Sequence, residues 1–271
     1  MRKYLLLSLA IMVVLVSITG ILLIVRKDKS VAGTNIVTSL SPQYPKIEKY
    51  QVPILMYHYI RNAGGETELG QKLSVSPTNF HRQIKKLKDE GFETIRLVDL
   101  ADPDKKGLSR VIDEGKKPLV ITFDDGYVDA YTQAFPILKQ YGYKGTFFII
   151  RDFTGRHNRL SKEQIDKMQA EGMEIGSHTL THPDLSRISI SEQRKQIFDS
   201  KGDTNTFCYP GGKYNSKTVS LVKEMGYLAA VTTKIGVANE TSDLLELPRV
   251  RVENVSPEAL LDKITYAMEH S

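Results

Sequence analysis

The sequence predicts an α/β protein built on a parallel sheet, either open or closed into a barrel. Three observations predict it. From Val52 onward, short apolar runs alternate with amphipathic helical stretches. Most of the helical stretches end on a glycine, the residue best suited to a helix C-terminal cap. The apolar runs also stop on polar, chemistry-bearing residues, as strands do at the functional end of a parallel sheet.

The elements follow in order. "VPILMYH" reads as the first strand. "SPTNFHRQIKKLKDEGF" reads as a helix: Ser76 caps it, Pro77 opens its first turn, and Phe80, Ile84 and Leu87 share one face. "PLVITF" is a strong second strand. "DAYTQAFPILKQYG" is helical, with Pro136 inside it, so a kink or break is expected there. "GTFFII" (strand), "SKEQIDKMQAEG" (helix) and "MEIGSH" (strand) come next, then "SISEQRKQIFDSK" (helix) and "TNTFCYP" (strand). "SKTVSLVKEMG" is a helix, "LAAVTT" and "LPRVRV" are strands, and "SPEALLDKITYAM" is the last helix.

The composition supports a folded domain and removes several function classes. Apolar residues at 41% and charged residues at 25% suffice for an ordinary core. The single Cys208 excludes an internal disulfide framework and a cysteine-based zinc knuckle. The net charge of +5 is concentrated at the N-terminus. Residues 1–30 hold five of the 37 Lys/Arg and one of the 32 Asp/Glu, leaving 32 against 31, a net of +1, for the remainder. A near-neutral domain gives no support to nucleic-acid binding.

"YLLLSLAIMVVLVSITGILLIV", Tyr4 to Val25, carries no charge and is long enough to cross a bilayer as a helix. Residues 1–29 are therefore expected to be a single-pass membrane anchor. The alternative is a cleaved signal, with "SVAG" as the cleavage zone and a secreted product. Residues 30–50 are rich in Ser, Thr and Pro without periodicity and read as a linker, which leaves 51–271 as the domain.

Three of the six histidines lie at strand ends or just past them. His58 closes the first strand. His178 closes "MEIGSH", and His182 follows in "HTLTH". His81, His157 and His270 read as surface residues. Two His four apart can face one metal, and Pro183 behind them favours a loop over a continuing helix. By themselves they are more often surface or capping residues. Two histidines also leave a zinc site short of ligands, and "FDDG" offers a carboxylate from another strand end. Of Asp124 and Asp125, one can ligate and the other can take a proton from water. The plain alternative for the pair is a solvated strand end with a helix-capping Asp.

"TFDDG", "SHTLTH" and "FCYPGGKYN", in that order and each at a strand end, resemble the polysaccharide deacetylases of the NodB-homology class, carbohydrate esterase family 4. The opening "PILMYHYI" resembles the branch that acts on poly-N-acetylglucosamine-type polymers. The resemblance runs from about Val52 to Val252. It implies a distorted (β/α) barrel of about seven units, one divalent metal ion, and hydrolysis of sugar N-acetyl groups. Zinc is the first choice of metal, with Co2+, Ni2+ and Mn2+ as alternatives.

By the same resemblance Asp124 is the general base, and Asp125, His178 and His182 are the metal ligands. The third motif usually reads Arg, any residue, Pro, Tyr; here Cys208, Tyr209, Pro210 and Gly211 stand there. Gly211 keeps the backbone N–H expected to meet the oxyanion, and Tyr209 and Pro210 go with it as substrate-side residues. The arginine that orients the base is missing. Arg249 is a candidate substitute, although a surface arginine at a strand edge is the reading its position slightly favours. The family's late histidine motif is also absent, so the acid role falls to His58. "SEQRKQIFDSKGDTNTFCYP" is shorter than the expected segment, which implies a remodelled groove wall or an impaired domain.

The expected function is a metal-dependent deacetylase acting on an N-acetylglucosamine-containing envelope or extracellular polysaccharide, with the catalytic domain on the extracytoplasmic side of the membrane. The rival readings are an O-acetyl sugar esterase and a catalytically impaired glycan-binding envelope protein.

Overall fold

The computed structural model describes residues 49–64 and 67–271. The expected anchor, and all but the end of the expected linker, lie outside the described residues. Among the described residues no helix is long and apolar enough to cross a membrane.

Seven parallel strands close into a barrel: β1 (Ile54–Tyr57), β2 (Lys117–Phe123), β3 (Thr146–Ile149), β4 (Glu174–Ser177), β5 (Thr206–Cys208), β6 (Ala229–Ile235) and β7 (Leu247–Arg251). Each pairs with the next in sequence, and β7 returns to β1 through Val250↔Leu55. Closure removes the free edges an open sheet would expose. A short strand, Phe92–Thr94, pairs alongside the first half of β2 and adds an eighth member outside the ring.

Helices cover the outside: α1 (Pro77–Asp89), α2 (Lys106–Asp113), α3 (Phe135–Gln140), α4 (Lys162–Ala170), α5 (Ile190–Lys201), α6 (Ser216–Glu224) and α7 (Pro257–Glu269). Alternation along each strand sorts two apolar layers. Leu55, Tyr57, Ile121, Phe123 and Phe147 share a core with Phe80, Ile84 and Leu87 of α1. Full burial of such a side chain contributes about 1.5–3 kcal/mol. Ile54, Val120, Phe148, Cys208, Val231 and Leu247 form the other layer. Thr122 and Asp124 continue the parity of Val120, and Arg249 that of Leu247. This parity directs chemistry into the barrel mouth.

The Ser76 cap and Pro77 first turn form as expected, with the Ser76 hydroxyl accepting from the Asn79 N–H. Pro136 does not break its helix. A π-helical turn over Ala130–Ala134 precedes α3, and the Phe135 N–H reaches Ala130 O, so the register change absorbs the missing donor. Among the elements that escape the sequence reading are Phe92–Thr94, α2, a short helix at Glu68–Leu73, and the two-residue strands Tyr59–Ile60, Ser74–Val75 and Ala238–Asn239. The short segment before β5 still forms a complete α5 and β5, whose Ile197 and Phe207 are fully buried. The cavity of about 380 Å³ beside it is lined by Lys162, Gly176, Ser200 and Thr204 among others, and none of the proposed site residues lines it.

Candidate active site

The carboxyl ends of β1, β2, β4 and β5 bring the predicted residues together. Asp125 Oδ1 lies 3.4 Å from His178 Nε2 and 3.6 Å from His182 Nε2. Three ligands at tetrahedral angles around an ion with 2.0–2.1 Å bonds sit about 3.3 Å apart, so this donor set fits a divalent metal. The His178 ring is fixed from behind, its Nδ1 2.7 Å from the Cys208 carbonyl. With Nδ1 as donor, the Nε2 lone pair faces the ligand position. His178 is buried, while the His182 side chain is 37% exposed, so the site opens on the His182 side.

The backbone around these ligands is strained. Five described non-glycine residues have positive φ, and three of them belong to this site: Asp125 (74°), Thr179 (66°) and His182 (61°). Each costs on the order of 1 kcal/mol and persists only where its surroundings hold it. The Thr179–His182 loop is a loop, as Pro183 suggested. The His182 N–H donates to Thr179 Oγ1 at 2.9 Å. Gln196 of α5 clamps the same loop, its Oε1 accepting from the Leu180 and Thr181 N–H groups at 3.1 Å each. Gln196 went unnoticed in the sequence. The available signal was an amide on the helix face that also carries the buried Ile197.

Around Asp124, Arg249 stands where its reading as a candidate partner of that carboxylate puts it, and the surface-arginine alternative falls away. Arg249 is 1% exposed and fills the barrel mouth. Its Nη1 and Nη2 each meet one oxygen of Asp124 at 2.8 Å. Nε donates to Thr232 O at 2.8 Å, Nη1 also to Thr122 Oγ1 at 3.0 Å, and Nη2 to Cys208 Sγ at 3.4 Å. The planar fork is therefore satisfied on every side. Cys208, standing where the third motif usually has arginine, is small enough to leave this space to Arg249.

Burial pushes the Asp124 carboxyl up, and the Arg249 guanidinium more than offsets it, holding the group well below the usual carboxylate range. Asp124, His178 and Cys208 also lie close enough together to suggest a second metal position. It does not fit one. Arg249 already occupies both Asp124 oxygens, and burial raises the Cys208 thiol, which keeps it protonated.

His58 Nε2 lies 3.7 Å from Asp124 Oδ2, too far for a hydrogen bond but within reach of a small movement. Burial lowers its imidazole, and Asp124 and Asp125 restore only part of that, so His58 rests neutral at pH 7. Gly211 stands in an exposed turn after β5 with φ 58°. Tyr209 is corrected to a core residue: its ring is fully buried and its hydroxyl donates to Leu245 O at 2.9 Å. Pro210 is buried beside it. Of this trio only Gly211 is presented to solvent.

Comparison with known proteins bears on the same residues. The polysaccharide deacetylase family model matches residues 112–230, a span holding Asp124, Asp125, His178, His182 and Gly211. The Bacillus subtilis protein YxkH, named as a candidate polysaccharide deacetylase, is 35% identical over 214 residues, covering 74% of this chain and 71% of its own. The chain belongs to the polysaccharide deacetylase family. Its members are hydrolases of carbon–nitrogen bonds, and their substrates are glycans. The deacetylase PplD of Streptococcus pyogenes, solved with acetate, superposes with a TM-score of 0.69 at 33% identity, over 79% of this chain and 97% of that one. The poly-β-1,6-N-acetyl-D-glucosamine N-deacetylase of Staphylococcus aureus is 25% identical over 254 residues, 82% of this chain and 86% of its own.

Proposed function

We propose that this deacetylase removes N-acetyl groups from an N-acetylglucosamine-containing polysaccharide of the cell envelope or extracellular matrix, with a divalent metal, zinc first, held by Asp125, His178 and His182. One observation carries the reading: a converging Asp-His-His set stands beside a buried carboxylate kept ionised by Arg249. The acetate bound to the related PplD is the product such a reaction releases. The name of the Staphylococcus aureus relative supplies the substrate class.

The metal, when bound, polarises the acetyl carbonyl and lowers the pKa of water towards neutrality. The protein residues do the rest. Asp124, locked by the Arg249 fork, accepts a proton from the attacking water as its oxygen bonds to the acetyl carbon. The Gly211 N–H is the donor available for the oxyanion. His58, neutral at rest, takes the proton from Asp124 and delivers it to the sugar nitrogen as the C–N bond breaks. Acetate and a free amine leave. One mobile proton thus serves both groups, and no charged resting imidazole is needed.

The N-terminal apolar segment supports placement of the domain outside the cytoplasmic membrane, where such polymers lie. Protease added to intact, wall-stripped cells should degrade it. For the activity itself, acetate release from N-acetylglucosamine oligomers should vanish with a chelator and return with zinc. Release that is indifferent to the chelator sinks the metal reading. Release from O-acetylated but not N-acetylated sugars sinks the amide reading.

A further inference from the structure

The triad's own strain asks what holds it. Asp125 sits in the left-handed region at φ 74°, where its carbonyl has no strand partner to fix it. Arg159 supplies one, its Nη1 donating to Asp125 O at 2.6 Å. The guanidinium is itself pinned, 3.9 Å from the Tyr127 ring centre and 5.1 Å from that of Phe153. Tyr127 in turn packs on Tyr59 at 4.0 Å between ring centres, and the two hydroxyls are 2.6 Å apart. Arg61 covers the outer face of Tyr59 at 3.6 Å. The backbone ties the same segments: Leu160 N–H to Gly126 O at 3.0 Å and Val128 N–H to Asn158 O at 3.1 Å, around a bridge between Tyr127 and Arg159. A surface loop, 155–160, is thus laced to the turn that bears one metal ligand. The same stack reaches Tyr59, next to the proposed acid His58.

Building on the metal reading above, we propose that Arg159 is a positioning residue for the metal ligand Asp125. By holding the Asp125 carbonyl it fixes the strained turn, and so aims the carboxylate at His178 and His182 before any ion arrives. A planar, always charged guanidinium suits this role, since it can stack on Tyr127 and donate at once. Outer groups that orient ligands in this way are commonly worth about 10–100-fold in metal affinity.

The test uses the full-length chain purified in detergent, with zinc affinity read by competition against a chromophoric chelator. Arg159→Met keeps the stem and removes the fork, and should weaken zinc binding roughly 10–100-fold. The visible spectrum of the cobalt-loaded protein should change at the same time, because the ligand set is loosened. At saturating zinc, kcat should recover towards the wild-type value with KM little changed, which a global packing defect would not allow. The metal-free thermal midpoint should move little. Arg159→Lys keeps charge but not planarity, and its affinity should fall between the two. If Arg159→Met does not fold, Arg159→Lys decides alone. Zinc affinity within twofold of wild type, with an unchanged cobalt spectrum, overturns the proposal. A wild-type chain that takes up neither ion is a different failure, since it removes the metal reading on which this one stands.

Discussion

Two carboxylates mark opposite ends of the same barrel. Asp124 follows β2 at the mouth, and Glu174 opens β4 at the floor. Burial raises both. At the mouth a guanidinium grips both oxygens, so the group is held far below its usual range. At the floor the donors are neutral: the Thr146 and Thr206 hydroxyls at 2.8 Å each and the Val98 N–H at 3.3 Å. Together with the charge of Arg96 they offset only part of the cost, and the Glu174 carboxyl stays above its usual range. Neutral donors and a charge that is not directly paired leave the buried carboxyl at the floor raised. A full opposite charge keeps the one at the mouth ionised. Of the two, only Asp124 is held ionised, as the base role proposed for it requires.

The sharpest break in that comparison is Asp124→Asn. The side chain keeps its shape, but the proton acceptor is lost, and acetate release should fall roughly 10²–10⁴-fold. The variant also strands Arg249 as an unpaired buried cation, for which a loss of about 3–5 kcal/mol in unfolding free energy is expected. Denaturant unfolding and turnover should therefore both collapse. Full activity in this variant would remove Asp124 from the reaction. His58→Gln comes next, with an expected rate loss on the order of 10²-fold and zinc content near wild type. If its rate is unchanged, the proton reaches the amine by another route.

A milder change acts on the partner instead. Arg249→Met leaves Asp124 in place and removes the charge that holds it down, so its carboxyl should rise. The acid limb of kcat/KM should then move to higher pH than in wild type. The linkage sign is that of a depressed acid: the wild-type pair stabilises the fold above the unfolded Asp value, and that contribution is lost as pH falls towards the low folded value. Arg249→Met should lack it. An acid limb and an acid-unfolding profile that both coincide with wild type would show that Arg249 does not tune the base.

The two ends also differ in how far the sequence discloses them. His58, Asp124, Asp125 and His178 are legible because they stand where an apolar run stops and a parallel strand must end, and His182 because it repeats His178 four residues on. Arg249 is legible only as a candidate, because "LPRVRV" does not say which side of the strand faces a barrel interior or what empty space awaits there. That space exists because residue 208 is a cysteine, a fact from another strand. The same limit hides Gln196 and Arg159, whose partners lie across loops. Local signals behave the same way. Five of the six helices read from the sequence begin on side-chain caps, at Ser76, Ser161, Ser189, Asn215 and Ser256. The sixth, α3, runs on from a π turn without one, and the missed Glu68–Leu73 is capped by Thr67 but only six residues long. The missed α2 begins on Lys105, in the left-handed region at φ 50° with no side-chain cap, inside a charged stretch. The parallel sheet is legible because β-α alternation constrains topology strongly. Its closure rests on the β7–β1 register, which no local pattern encodes.

The smallest expected effect tests the floor. Glu174 is raised, so the linkage runs opposite to that of Asp124. Below the unfolded Glu value both states hold the proton. As pH rises from there towards the raised folded value, the unfolded chain releases its proton first and the folded protein loses stability. Glu174→Gln removes this ionisation. Its carbonyl oxygen can keep the Val98 N–H and the Thr146 hydroxyl, which share one carboxylate oxygen, while its NH2 faces the Thr206 hydroxyl, which can turn to accept, so the cost at low pH should stay at or below about 1 kcal/mol. The difference in unfolding free energy between variant and wild type should therefore shift in the variant's favour as pH rises through this window, then level off. Acetate release should stay within about twofold of wild type throughout, since the group lies at the far end of the strands from the mouth. A stability difference that is flat with pH would show that Glu174 titrates normally despite its burial. The contrast between the two carboxyls would then rest on Arg249 alone.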